Sequence, residues 1–167
     1  MEKRDYSSTF VPIIYAHDYD DYAASFLRRY GYDDCIVTPQ AVPIFEIAEK
    51  RIGLNVQFAR LSKNGDDISG LIALEDGIVD IYDDGCDSYI GVAVKKGDVL
   101  LEAFCNNPGR INNSLAHECI HWWLHRLYFI HRKGVAVAFR CPTKILEEVG
   151  EKPTDEEWME IQARGIS

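Results

Sequence analysis

The chain has 167 residues, of which 47% are hydrophobic, with nine Tyr, seven Phe and three Trp, so it carries enough apolar material for one folded domain and is not a disordered chain. A formal net charge of -9 repels phosphate backbones and argues against direct nucleic-acid binding. Five cysteines without a CxxC pair do not form a secreted disulfide framework. The first 22 residues lack the apolar core of a signal peptide, and no apolar run is long enough to span a bilayer. The expectation is a soluble, cytoplasmic, single-domain protein spanning residues 1–167, with no membrane association.

Residues 1–16 read as a loose N-terminal arm or an irregular strand. Tyr19, Tyr22, Ala23, Phe26, Leu27 and Tyr30 then recur at helical spacing, and Gly31 is the expected stop. A second helix is predicted over Val42 to Arg51, with Pro43 near its start and Gly53 beyond its end. Its sequence could open a helix-turn-helix. The residues that follow, however, alternate as Leu54, Val56 and Phe58 against Asn55 and Gln57, which is a strand and not a recognition helix. Ser62 to Asp67 reads as a turn. "GLIALEDGIVDIYDDG" reads as a hairpin turning at Asp76-Gly77, and "YIGVAVKKGDVLLEAF" as a second one turning at Lys96-Gly97-Asp98. After the breaker "NNPGR", Asn112 or Asn113 is the expected cap of a helix running to about Ile130. That helix is apolar nearly all round, which predicts burial. A further helix is expected over Val135 to Glu148. A last one follows Pro153, where Thr154 and Glu157 form a capping box, and runs to about Arg164. Helices, then strands, then helices predict an α+β fold with a small antiparallel sheet.

The chemistry lies in "SLAHECIHWWLH", residues 114–125. Four residues of α-helix advance about 400° and about 6 Å, so His117 and His121 share one face a turn apart and their imidazoles converge. Two neutral nitrogens plus a carboxylate, with one position open for water, suit Zn2+. Glu118 flanks that ion and is placed to take a proton from bound water and pass it to a leaving amine. This is the HExxH pattern of zinc peptidases. Against it stands the alternative of two core histidines satisfied by backbone and by Glu118. His125 reads as a capped surface histidine, with a supporting role at the metal as an alternative. Tyr128 reads as a packed aromatic and Cys119 as a small core residue.

A third ligand is required. His131 follows His121 by ten residues, without the glycine turn that would bring it back, so a downstream carboxylate is preferred. Glu147, Glu148, Glu151, Glu156, Glu157 and Glu160 are the candidates. On a wheel whose apolar side is marked by Trp158, Ile161 and Ile166, Glu160 falls toward the opposite, solvent side.

"VPIFEIAEKRIGLNVQF", "NNSLAHECIHWWLH" and "EWMEIQAR" stand in the order that resembles the ImmA/IrrE family of bacterial and phage zinc metallopeptidases, over about Tyr22 to Ala163. The resemblance implies a gluzincin-like α+β metallopeptidase core and a cytoplasmic enzyme that cleaves or inactivates a partner protein such as a transcriptional repressor. It implies that His117 and His121 are zinc ligands and Glu118 the catalytic glutamate. It also implies that Glu160, in a Glu-x-x-Ala stretch, is the third ligand. Two features depart from the family. Arg164 stands where Asn is usual, and the family continues into further helices where this sequence ends at Ser167, as a truncated or shortened relative would. A non-catalytic binding module that keeps this fold is the alternative function.

Overall fold

The computed structural model describes residues 5–64, 68–131, 138–142 and 153–167. It is an α+β fold built on a small mixed sheet. Helix α1 (Tyr19–Tyr30) follows a short 3-10 turn at Ala16–Asp18 and ends at Gly31, whose φ of 81° is the left-handed cap conformation. A single helical turn, α2 (Asp34–Val37), comes next. The second predicted helix is present as α3 (Ile44–Glu46), which widens into π-helical turns over Ile47–Ile52 and stops at Gly53, φ 83°. The segment before α1 is irregular, as expected. It is nonetheless anchored, because Val11 and Ile14 are buried in the main core.

The strands are β1 (Asn55–Ala59), β2 (Ile68–Ala73), β3 (Gly77–Asp83), β4 (Ser88–Val94), β5 (Asp98–Glu102) and β6 (Ala138–Pro142). Both predicted hairpins are wrong in their pairing. The four-stranded sheet has the order β1-β5-β2-β6, with β5 parallel to β1 and antiparallel to β2, and β2 antiparallel to β6. The sheet is therefore mixed, not antiparallel. Among the described residues β3 and β4 pair with each other and with no other strand, with Val79 opposite Val92, as a separate ribbon inserted between β2 and β5. The expected turns are the ribbon's entry and exit. Lys96 N–H donates to Asp76 Oδ1 (2.8 Å) and Gly97 N–H to the Ala73 carbonyl (2.8 Å), so the chain returns beside the strand it left.

Burial explains the choice. Residues Gly70 to Ala73 of β2 and Val99 to Glu102 of β5 are buried throughout, so both strands need partners along both edges and cover on both faces. Ile72, Val99 and Leu101 face the helices; Leu71, Ala73 and Leu100 face the ribbon's Val79 and Val94. Each fully buried aliphatic side chain contributes about 1.5–3 kcal/mol. β5 lies between β1 and β2 and so offers no open edge to an added strand.

Helix α4 (Pro108–Ile120) starts earlier than predicted. Asn107, not Asn112 or Asn113, is its cap, with Oδ1 accepting from Arg110 N–H at 3.1 Å. Pro108 occupies the first turn, where a missing N–H costs nothing. The helix passes into a π-helical turn at His121–His125 and then α5 (Arg126–His131). The expected helix over Val135 to Glu148 is replaced, where described, by β6, which pairs the outer edge of β2; 132–137 and 143–150 lie outside the described residues. The last helix, α6 (Asp155–Ile166), begins at the predicted capping box. Thr154 N–H donates to Glu157 Oε2 (2.7 Å) and Glu157 N–H to Thr154 Oγ1 (3.2 Å). No helix among the described residues is long and apolar enough to cross a membrane.

Candidate metal centre

Three elements meet at the site. α4 packs over β2 and presents His117 and Glu118; its π-helical extension presents His121; α6 crosses both and presents Glu160. The Nε2 atoms of His117 and His121 lie 2.8 Å apart. Glu160 Oε2 is 3.3 Å from His117 Nε2, and Oε1 is 3.2 Å from His121 Nε2. One donor atom from each residue falls within 4.8 Å of the others, and all three residues are buried. His117, His121 and Glu160 therefore form a group that could hold a metal ion.

The hydrogen bonding of the buried carboxylates supports that fit. Glu102, also buried, is satisfied by backbone: Oε2 accepts from Leu61 and Ser62 N–H (2.9 and 3.3 Å), and Oε1 from Phe104 N–H (3.0 Å). Neither oxygen of Glu160 nor of Glu118 has a hydrogen-bond partner among the described residues. A buried carboxylate without donors is costly unless a cation compensates it. A two-imidazole, one-carboxylate set is a fit for a divalent transition ion.

The electrostatics agree. Burial pulls His121 down to about 4, against the raising influence of Glu160, so its ring is neutral at neutral pH, the form that ligates. Burial alone would push Glu160 up. The His117 and His121 imidazoles beside it outweigh that and hold it at about 2, so it is ionised. Glu118 is pushed well above the carboxylate range, first by burial and then by the negative charge of Glu160. Its carboxyl presses on β2 at Gly70, where an added Cβ would stand 2.7 Å from Oε1. Arg164 brings its Nε within 3.8 Å of Glu160 Oε2.

The structure thus brings together all four residues singled out in the sequence, including Glu160, which its wheel position had assigned to solvent. The competing carboxylates are elsewhere. Glu156 is exposed and Glu157 is engaged in the cap, while Glu147, Glu148 and Glu151 lie outside the described residues. His131 stacks on Phe10 with centroids 3.9 Å apart. Tyr128 and Cys119 are core residues, as expected, and burial raises the Cys119 thiol out of the reactive range. His125 is not a surface histidine. It is fully buried, with Nδ1 2.9 Å from His121 Nδ1 and Nε2 3.0 Å from Gln162 Oε1. Two contributors went unrecognised in the sequence, Gly70 and Gln162, and neither carried a signal there; the less favoured reading of His125, a supporting role at the metal, is the one its burial and its contact with His121 fit. Compared with known proteins, the chain matches no family model, no curated protein and no solved structure.

Proposed function

We propose that the chain is a zinc-dependent endopeptidase with a gluzincin-like core, related to the ImmA/IrrE metallopeptidases and acting in the cytoplasm on a partner protein such as a transcriptional repressor. The observation that carries this reading is the convergence of His117, His121 and Glu160 beside a Glu118 carboxyl with no hydrogen-bond partner among the described residues. His117, His121 and Glu160 would hold the zinc, which when bound lowers the pKa of water and polarises a peptide carbonyl. Glu118 is the proton carrier. Its carboxylate accepts the proton of the attacking water; the water oxygen joins the carbonyl carbon, the C–N bond breaks, and Glu118 delivers the proton to the leaving nitrogen. Burial and the charge of Glu160 raise the Glu118 carboxyl, which favours its holding the proton between acceptance and delivery.

One observation favours a second reading. Glu118 and His121 are 0% exposed, which a binding module that keeps the metal for structure would tolerate and a protease must open. Two variants decide. The purified protein should bind about one equivalent of zinc, lost in His121→Ala. Glu118→Gln should keep the zinc and abolish cleavage of the repressor encoded nearest to it; undiminished function in that variant leaves the binding module.

A further inference from the structure

We propose that the Pro12 carbonyl, Gln162 and His125 form a hydrogen-bond relay that fixes His121 as the Nδ1–H tautomer, directing its Nε2 lone pair toward the point where His117 and Glu160 converge. The proposal rests on reading the site as a zinc centre, and it assigns His125 and Gln162 as positioning residues.

Donor and acceptor capacities dictate each link. Gln162 Nε2 lies 2.7 Å from the Pro12 carbonyl oxygen, which only accepts, so the amide NH2 faces Pro12. The opposite amide orientation would set two acceptors against each other at that distance. Gln162 Oε1 therefore faces His125, 3.0 Å from Nε2, and an amide oxygen only accepts. His125 Nε2 must carry the proton. His125 is 0% exposed, and among the described residues its ring nitrogens contact an amide and an imidazole and no carboxylate, so a cation there would be buried without a directly bonded counter-charge. The ring is neutral and its Nδ1 is bare. His121 Nδ1, 2.9 Å away, then has to donate. A neutral imidazole holds one ring proton, so His121 Nε2, which faces His117 and Glu160, is the lone pair.

The relay joins three distant stretches of chain: the N-terminal segment, the π-helical turn and α6. Val11 and Ile14, buried on either side of Pro12, pin the carbonyl that starts it. The N-terminal segment thereby becomes part of the metal centre without touching the ligand atoms. Outer partners of this kind hold a ligating imidazole in one tautomer and orientation, and their loss lowers metal affinity about 10- to 100-fold.

The direct test is two-bond 1H–15N correlation on 15N-histidine-labelled, zinc-free, full-length protein at neutral pH. His121 should appear as the Nδ1–H tautomer and His125 as Nε2–H. On adding one equivalent of zinc chloride, His121 Nε2 should shift while His125 keeps its tautomer. His121 found as Nε2–H, or as a tautomer mixture, overturns the relay. Zinc affinity by chelator competition supplies the second arm. Gln162→Met, which keeps the length but removes both amide functions, should weaken zinc about 10- to 100-fold. The double variant with His125→Phe should be no weaker than the worse single variant. Affinity within twofold of the parent in Gln162→Met, or additive losses, would refute the relay. The expected tautomers with no zinc uptake would instead sink the zinc reading and leave the relay standing.

Discussion

Gly70 offers the sharpest test of how the fold positions Glu118. A Cβ at residue 70 would stand 2.7 Å from Glu118 Oε1, 3.3 Å from Cγ and 3.4 Å from Cδ. Ordinary contact begins near 3.4 Å, so Oε1 must retreat by about 0.7 Å. The β2 backbone is held between β5 and β6 and has little room to recoil, so the displacement falls on Glu118. Gly70 has no left-handed φ, so alanine suffers no backbone strain there and in open space would even stabilise the chain. Overpacking of this kind costs about 1–3 kcal/mol. In a chain of this length that lowers the melting temperature by roughly 2–12 °C.

The measurement is chemical denaturation of four zinc-free proteins: parent, Gly70→Ala, Glu118→Ala and the double variant. Removing the Glu118 side chain removes the obstruction, so the cost of Gly70→Ala should shrink to within about 0.5 kcal/mol of zero in the Glu118→Ala background. An undiminished cost there refutes the steric reasoning. Zinc stoichiometry in Gly70→Ala should stay at the parent value, because no ligand is touched. Peptide hydrolysis should drop on the order of 100-fold, the penalty for shifting a reacting group by about 1 Å.

Glu118→Gln should stabilise the zinc-free protein increasingly as pH rises from 4.5. A carboxyl raised in the folded state keeps its proton while the unfolded chain releases its own, so the parent loses stability with rising pH over that window, at up to about 1.4 kcal/mol per pH unit. Glutamine removes that dependence. His121, lowered to about 4, costs both proteins stability as pH falls from 6.5 toward 4, and this contribution cancels in the difference. Urea melts between pH 5 and 7 that give a flat difference would show Glu118 to be ionised in the fold. Thr154→Ala removes the reciprocal cap of α6 and should cost about 1 kcal/mol. Since α6 carries Glu160, chelator competition should also report weaker zinc binding; unchanged stability and affinity would show that the cap holds nothing at the site.

Local signals were legible in the sequence and long-range pairing was not. The stripe of α1, its stop at Gly31 and the capping box of α6 each depend on residues within one or two turns, and each was read correctly. The hairpins failed for a physical reason. Turn residues at Asp76-Gly77 and Lys96-Gly97 mark a reversal but do not say which strands meet. Here the reversals lead out of the sheet into the β3–β4 ribbon and back. The signal against simple hairpins was the unbroken apolar character of "GLIAL" and "VLL", which marks strands covered on both faces. β6 was missed because its pairing satisfies the outer edge of β2, a demand made by another part of the chain.

The metal centre divides along the same line. His117, Glu118 and His121 share a helix, and their convergence follows from its pitch. Glu160 was misplaced because the apolar side of α6 was drawn through Trp158, Ile161 and Ile166, whereas the buried stripe is Met159, Ala163 and Ile166. At about 100° per residue, Glu160 and Gln162 flank that stripe on its two sides. Both are buried, and both reach the same imidazole. Glu160 lies at His121 Nε2, and Gln162 acts through His125 at His121 Nδ1. Polar residues beside an apolar stripe look like solvent positions until their partners are known, and these partners are buried histidines more than thirty residues away. The dependence runs in both directions. Without α6, His121 would lose Glu160 at its Nε2 and His125 would lose Gln162 at its Nε2; without those histidines, Glu160 and Gln162 would be polar groups stranded in the core. The two helices therefore make one polar unit, and a substitution on either should be felt at the candidate metal site before it is felt in the fold.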